Sequence, residues 1–87
     1  MSQTDASPRV LVYTREDCHL CVAALEVVER VCAATGQSWA SVGVDGDADL
    51  EQRYGHYVPA VLVDGVQQAF WRVDENRLTR LLSEPAG

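Results

Sequence analysis

Two cysteines stand at a boundary between two kinds of secondary structure in the stretch VLVYTREDCHLCVAALEVV, residues 10–28. The preceding segment, Arg9–Thr14, is almost continuously apolar and rich in β-branched and aromatic residues, which predicts a central strand covered on both faces. From His19 to Ala34 the apolar residues recur every three or four positions, which predicts a helix with one buried face. That face carries Cys21, Leu25, Val28 and Cys32.

The rest of the chain continues this alternation. The predicted elements are a strand over Ser38–Asp45, a short helix from Asp47 to Tyr54 closed by Gly55, strands Ala60–Val63 and Val66–Trp71, and a helix Asp74–Leu82. Asp64-Gly65 between the last two strands is a strong hairpin signal, because both turn positions need a positive φ. A strand–helix–strand start implies a parallel pair with a right-handed crossover. The sequence therefore predicts an α/β fold in which helices cover both faces of a four-stranded mixed sheet.

Length and composition restrict the classes of function. With 87 residues, one domain is expected over residues 9–83, with a flexible segment over residues 1–8 and a tail over residues 84–87. The net charge is −6 and all seven basic residues are arginines without a basic run, so we expect no nucleic-acid partner. No apolar run approaches the roughly 18 residues of a membrane span. The N-terminus also lacks signal-peptide features, so we expect no membrane partner and a cytoplasmic protein.

The spacing of Cys18 and Cys21 suits either a metal site or a redox pair. A closed zinc site needs four ligands, and Cys32, His19 and His56 would have to complete it, so we expect no metal. The redox reading assigns different roles to the two thiols. Cys18 stands at the start of a helix, where free N–H groups and the helix dipole favour a thiolate, whereas Cys21 lies one turn inside. This asymmetry predicts an outer nucleophile and an inner resolving cysteine.

Two further residues near this pair have alternative readings. His19 could donate a hydrogen bond to the thiolate, or it could face solvent with little effect. Val58-Pro59 could be a simple strand start, or a cis bond that marks a specific tight turn. In the predicted strand order, the start of the third strand lies beside the start of the first helix. We expect the cis form, with Pro59 close to the cysteines and the Val58 backbone free to pair with a substrate strand.

Other residues that often carry chemistry have simpler explanations. Cys32 continues the core face of the first helix and is expected to be a buried bystander. His56 follows Gly55 in a turn. The aromatic side chains of Trp39, Tyr54 and Trp71 are expected to serve packing rather than ligand stacking.

The motif Y-x-R-x-x-C-x-x-C, followed by Val-Pro, a strand, Asp-Gly, a strand and a closing helix, resembles the thioredoxin fold in its short, glutaredoxin-type βαβαββα form. The nearest resemblance is to small stand-alone bacterial glutaredoxin-like proteins, over roughly residues 9–83. It implies that Cys18 is the nucleophile, Cys21 the resolving cysteine and Pro59 the cis-proline. It also implies that Arg15, three residues before Cys18, meets the carboxylate of glutathione.

The sequence departs from the glutaredoxin pattern at two places. Glutaredoxins usually have Pro-Tyr between the cysteines, whereas this chain has His19-Leu20. They also usually have Gly-Gly after the third strand, near where this chain has Phe70, Trp71 and Arg72, whose bulk is expected to fill part of the glutathione groove. Asp74 with Glu75 preserves the acidic pair that opens the last helix, and the resemblance places Asp74 among the substrate-binding residues. From the residues alone, Asp74 needs no role beyond capping that helix.

Three functions are compatible with these features. The first is a thiol–disulfide oxidoreductase that reduces protein or low-molecular-weight mixed disulfides, with glutathione or another small thiol as co-substrate, no bound cofactor and a monomeric chain. The second is a non-enzymatic binding or redox-sensing adaptor that uses the groove of the fold. The third is an iron–sulfur or metal carrier, bridged between two chains through Cys18. We favour the first because the positions of the two cysteines match its requirements.

Overall fold

The computed structural model describes residues 8–84. Its elements are β1 (Val10–Thr14), α1 (His19–Thr35), β2 (Trp39–Gly43), α2 (Ala48–Tyr54), β3 (Ala60–Val63), β4 (Val66–Phe70) and α3 (Glu75–Ser83). The predicted order of strands and helices is therefore confirmed. The predicted flexible segment (residues 1–8) and tail (residues 84–87) lie outside the described residues, except for Pro8 and Glu84.

The four strands form one mixed sheet in the order β2-β1-β3-β4. β1 runs parallel to β2, with Val12 opposite Ser41, and antiparallel to β3, with Val12 opposite Val61. β3 and β4 form an antiparallel hairpin with an irregularity that leaves Gln68 as an extra residue in β4. Because β1 and β3 are the inner strands, the chain segments next to them, residues 15–18 and 58–59, meet at one end of the sheet.

The main core lies between one sheet face and the helices α1 and α3. Its buried side chains are Val10, Val12, Val61 and Val63 from the sheet, Val28, Val31 and Cys32 from α1, and Leu78 and Leu82 from α3. On the opposite face, Tyr13 of β1 stacks on Tyr54 of α2 with ring centroids 4.3 Å apart. The helices therefore cover both faces of the sheet, as the sequence predicts.

The buried face of α1 differs slightly from the predicted one. Ala24 and Val31 are fully buried, whereas Leu25 is only partly buried. The face is shifted because α1 packs against the sheet on one side and against α3 on another, so it needs a wider apolar stripe than a single row of positions.

Short-range signals in the sequence account for most of the element boundaries. Asp64 and Gly65 have φ values of 53° and 82°, as a tight two-residue hairpin requires. Asp47 and Asp74 cap α2 and α3 by accepting hydrogen bonds from backbone N–H groups three residues ahead. Gly55 ends α2 in a right-handed conformation with φ −54°, so a left-handed cap is not what terminates that helix.

Candidate functional site

The cysteine pair lies at the N-terminus of α1, where Cys18 is the N-cap residue. Its Sγ accepts a hydrogen bond from the backbone N–H of Cys21 at 3.2 Å, so the sulfur takes the place that a serine or aspartate oxygen occupies in an ordinary cap. The two cysteines form a disulfide with their Cα atoms 5.2 Å apart. This arrangement brings a sulfur to the positive end of the helix dipole, which favours a negative charge on it.

The two sulfur-bearing residues differ in their access to solvent. Cys18 is partly buried, whereas Cys21 is only 3% exposed. A groove of about 390 Å³ reaches the pair and is lined by Thr14, Arg15, Asp17, Cys18, His19, Cys21, Val22 and Leu25. A reagent in this groove meets Cys18 at the surface, while Cys21 forms part of the wall behind it.

Cys21 belongs to a second apolar cluster that joins three segments of the chain. Val44, which follows β2, and Val58, which precedes β3, are buried against it. Val44 is held there because its N–H donates to the carbonyl of Thr14 at the end of β1, at 2.8 Å. Cys18, Tyr13, Leu50 and Tyr54 pack around the cluster. The structure therefore brings Val58 and the cysteines together, while the contribution of Val44 is missing from the sequence reasoning.

The segment before β3 presents a turn with free backbone groups. The Val58–Pro59 peptide bond is cis, and both residues are buried. The carbonyl of Pro59 accepts a hydrogen bond from the N–H of Trp71 at 2.9 Å. Neither the N–H nor the C=O of Val58 has a hydrogen-bond partner among residues 8–84. Since buried backbone polar groups are nearly always paired, these two groups need water or a group outside the described residues as a partner.

Arg15 and His19 flank the cysteines on the surface. Arg15 is exposed, and its Nη1 donates to the carbonyl of Gly55 at 3.1 Å, which ties the loop before α1 to the end of α2. His19 is exposed in the first turn of α1. Both line the groove that includes Cys18, so each can contact a molecule that reaches the sulfur.

Asp74 does not line the groove at the cysteines and lies at the start of α3. Its Oδ1 accepts the N–H of Arg77 at 3.1 Å, which is the capping bond that the sequence predicts. It also lines a groove of about 260 Å³ between β4 and α3. Asp74 is therefore a cap, and one carboxylate of this second groove.

Trp71 differs from the packing role predicted for it. Nearly half of its surface, 48%, is exposed, and its φ of 68° ends β4 one residue earlier than the sequence predicts. A left-handed backbone costs a residue with a side chain roughly 1–2 kcal/mol. The exposed position of Trp71 could have been predicted from the hairpin register, which places residue 71 after the end of β4 and next to Pro59.

Cys32 lies in the main core, away from the groove at the other two cysteines. Cys32 is buried, and its burial raises the pKa of its thiol. Within residues 8–84, no three or more histidine, cysteine, aspartate or glutamate side chains come together in a group suited to a metal ion. No helix in this part of the chain is long and apolar enough to cross a membrane.

Comparison with known proteins gives the site its family context. The family described as "Glutaredoxin-like domain (DUF836)" matches residues 9–83. The chain belongs to this glutaredoxin-like family. Two mycobacterial proteins, "Uncharacterized protein Rv0508" of Mycobacterium tuberculosis and "Uncharacterized protein Mb0520" of Mycobacterium bovis, are each 33% identical to it over 76 residues. That alignment covers 82% of this chain and 78% of each relative.

Solved structures share the fold of this glutaredoxin-like chain. The X-ray structure of target protein XcR50 from X. campestris is 35% identical, with a TM-score of 0.71, and the match covers 87% of this chain and 99% of that one. Ne2328 from Nitrosomonas europaea, 22% identical, matches in fold with a TM-score of 0.73 over 95% of this chain and 100% of its own. The thioredoxin-like protein BC3987 matches in fold with a TM-score of 0.58 over 85% of this chain and 94% of its own, at 24% identity. This glutaredoxin-like chain therefore has a thioredoxin-like α/β fold, as the sequence resemblance implies.

Proposed function

We propose that this glutaredoxin-like chain is a dithiol–disulfide oxidoreductase in which Cys18 is the nucleophile and Cys21 the resolving cysteine. The observation that carries the proposal is the position of the pair. Cys18 caps α1 and borders an open groove, whereas Cys21 is buried one turn inside the helix. Exchange between thiols and disulfides needs one accessible thiolate and a second thiol within bonding distance of it.

The helix terminus supplies the stabilisation that the attacking sulfur needs. The pKa of an unperturbed cysteine thiol is about 8.5, and helix N-termini lower it. In this chain the N–H of Cys21 donates to Cys18 Sγ. A hydrogen bond to the charged form of a group stabilises that form, so the same contact in the dithiol state favours the Cys18 thiolate.

The proposed reaction transfers two electrons from the protein to the substrate. The Cys18 thiolate attacks one sulfur of a substrate disulfide, forms a mixed disulfide with it, and releases the other substrate sulfur as a thiolate that takes up a proton. Cys21 loses its proton and attacks Cys18 Sγ, which forms the Cys18–Cys21 disulfide and releases the second substrate thiol. The substrate disulfide is thereby reduced and the protein dithiol oxidised.

Five further residues have proposed roles in holding the substrate. The free N–H and C=O of Val58 would pair with an extended substrate segment, which the turn at Pro59 directs toward Cys18. Arg15 and His19 line the groove beside Cys18 and would contact anionic groups there. Asp74, in the groove between β4 and α3, would accept hydrogen bonds from an amino group or amide.

A second thiol substrate must return the protein to its dithiol state. We propose that a low-molecular-weight thiol such as glutathione does so, because two of its molecules can reduce one Cys18–Cys21 disulfide and leave as one oxidised dimer. No bound cofactor is required for this cycle. The proposal also assigns the protein to a reducing compartment such as the cytoplasm, where such thiols are abundant.

A single-turnover experiment tests the proposed function. The reduced protein, freed of reductant, is mixed with hydroxyethyl disulfide, and the two cysteine thiols are followed by quenching and mass spectrometry. We expect both thiols to be lost together at a rate that rises with pH until the Cys18 thiol is ionised. The proposal fails if the reduced protein reacts no faster than an unfolded peptide that carries the same cysteine motif.

A further inference from the structure

Three aromatic side chains form an exposed surface beside the cis turn. Tyr57, Phe70 and Trp71 are 45%, 46% and 48% exposed, and we call them the aromatic surface. The ring centroids of Phe70 and Trp71 lie 4.9 Å apart. The ring centroid of Tyr57 lies 5.9 Å from that of Phe70 and 6.2 Å from that of Trp71. A cluster of large apolar side chains that stays exposed to solvent is typical of an interaction site, because burying these side chains against a partner is favourable.

Trp71 is held in place at a backbone conformation that disfavours it. Its φ of 68° lies in the left-handed region, where glycine is the least strained residue. Its indole N–H donates to the carbonyl of His56 at 2.9 Å, which fixes the ring at the surface. Since the side chain stays about half exposed, its packing does not explain why a bulky residue occupies a glycine-like position. Strain of this kind is concentrated at functional sites.

An apolar groove connects the aromatic surface to the cysteine motif. Its volume is about 300 Å³, and its apolar lining consists of Leu20, Ala23, Ala24, Val27, Trp71 and Val73. Leu20, which lies between the two cysteines, is itself 45% exposed. The groove therefore extends from Leu20, inside the cysteine motif, to Trp71.

Arg72 is the one charged residue in the lining of this groove. Its guanidinium has no hydrogen-bond or ion-pair partner among residues 8–84, although the whole chain has a net charge of −6 and seven arginines. By contrast, Arg77 in the neighbouring groove bonds to Gln68. An unpaired cation at the edge of an apolar groove complements a ligand with an apolar group and a negative charge.

We propose that the aromatic surface, the apolar groove and Arg72 dock an extended polypeptide whose target cysteine is flanked by an apolar side chain and a carboxylate. The proposal rests on the proposed exchange at Cys18 and names its substrate class. The unpaired N–H and C=O of Val58 offer strand pairing to such a polypeptide. The neighbouring aromatic rings contact its apolar side chain, and Arg72 pairs with its acidic one. Trp71 is then a specificity-determining residue rather than a participant in sulfur exchange.

Three peptide disulfides and one small disulfide test this assignment. Each peptide carries its cysteine as a mixed disulfide with β-mercaptoethanol, flanked by phenylalanine and glutamate, by phenylalanine and lysine, or by glycine only. Hydroxyethyl disulfide reports exchange without docking. Single-turnover rates with the reduced protein are measured for all four. We expect the wild type to react fastest with the peptide that carries phenylalanine and glutamate.

Trp71→Gly is the informative variant, because glycine relieves the left-handed backbone and the fold is expected to be retained. We expect its rate with the phenylalanine–glutamate peptide to fall about tenfold, as for loss of an aromatic anchor, and its rate with hydroxyethyl disulfide to stay within about twofold. Val66→Ala removes an exposed apolar group at the far end of β4 and serves as the matched control, with both rates unchanged.

Charge reversal provides an independent arm. Arg72→Glu should reverse the preference between the glutamate and lysine peptides by about three- to tenfold, whereas Arg80→Glu, the same change of net charge on α3, should not. Circular dichroism and thermal unfolding verify that each variant is folded. The docking proposal is wrong if the wild type reacts equally with all three peptides, or if Trp71→Gly slows hydroxyethyl disulfide as much as the peptides.

Binding separates failure of docking from failure of the proposed function. The same three sequences with serine in place of cysteine are titrated into the oxidised protein while the indole N–H resonance of Trp71 is followed. A saturable shift that is strongest with the phenylalanine–glutamate sequence supports docking even if no disulfide reacts, in which case only the exchange function is rejected. No shift with any sequence, together with normal exchange of hydroxyethyl disulfide, rejects docking alone.

Discussion

The sulfur of Cys18 accepts a hydrogen bond from the backbone N–H of Cys21, so the cap of α1 and the candidate nucleophile are the same atom. A change of charge on this sulfur therefore acts on the start of the helix as well as on the site. In the proposed dithiol state, the helix terminus would stabilise a Cys18 thiolate, and that thiolate would be a better acceptor for the cap than a thiol.

Serine substitutions distinguish the two cysteines. Cys18→Ser should abolish exchange with a disulfide substrate, because no accessible thiol is left. Cys21→Ser should keep the first attack and accumulate a stable mixed disulfide through Cys18, because the resolving step is lost. Intact-protein mass spectrometry after mixing with hydroxyethyl disulfide measures both outcomes. If Cys21→Ser loses initial reactivity while Cys18→Ser retains it, the two roles are reversed.

Cys32 should behave as a core residue without a redox role. Cys32→Ala removes a buried sulfur next to Val28 and Leu82 and should lower the free energy of unfolding by about 1–2 kcal/mol, while exchange stays within about threefold of wild type. Denaturant unfolding and single-turnover rates measure the two effects. Because burial raises the pKa of this thiol, it should resist alkylation in the folded protein. Fast labelling of Cys32 under native conditions would contradict this view.

Arg9 should stabilise the fold by joining three distant segments. Its Nε donates to Asp64 at 3.1 Å, and its Nη atoms donate to backbone carbonyls at the end of α3, including that of Glu84 at 2.8 Å. Arg9→Ala leaves these groups unpaired and should cost about 2 kcal/mol in urea unfolding. Arg9→Lys should restore less than half, because one ammonium cannot reach both sets of acceptors.

Arg53→Ala is the control for Arg9, since Arg53 is exposed on α2 and has no ion-pair partner among the described residues. It should change stability by less than about 0.5 kcal/mol. Equal losses for Arg9→Ala and Arg53→Ala would show that the contacts of Arg9 contribute nothing to stability.

The ion pair between Arg30 of α1 and Glu75 of α3 should make a pH-dependent contribution to stability. The hydrogen bond from Arg30 lowers the pKa of Glu75 below its ordinary value of 4.5. The folded state thus favours the carboxylate, so the contribution is present above about pH 4.5 and is lost as the pH falls through the lowered pKa. We expect Glu75→Gln to be less stable than wild type at neutral pH, and the difference to shrink on acidification.

Both groups of this pair are exposed, so the difference should also weaken in high salt. Glu29→Gln makes the same change of charge on the exposed face of α1 and is the matched control. Urea unfolding between pH 3 and 7 measures both variants. A stability difference for Glu75→Gln that grows as the pH falls would contradict the lowered pKa.

Local features of the fold were determined by the sequence alone. The apolar strand before Cys18, the hairpin at Asp64-Gly65 and the caps at Asp47 and Asp74 all appear where the sequence predicts them. Each depends on residues within about four positions of one another, because caps and tight turns are satisfied by their own neighbours. The roles suggested for Cys18 and Cys21 could be read from the same kind of local pattern.

Only the tertiary structure decided what surrounds the cysteines. Val44 and Val58 meet Cys21 because β2 and β3 lie on opposite sides of β1, an arrangement in which residues distant along the chain become neighbours. Trp71 is held at the surface because its backbone N–H donates to the carbonyl of Pro59 and its indole N–H to that of His56, both in the segment between α2 and β3. These contacts depend on the strand order and the hairpin register, and the same sequence pattern is compatible with more than one order and register. An aromatic residue that looks like part of the core can therefore lie at the surface of the site.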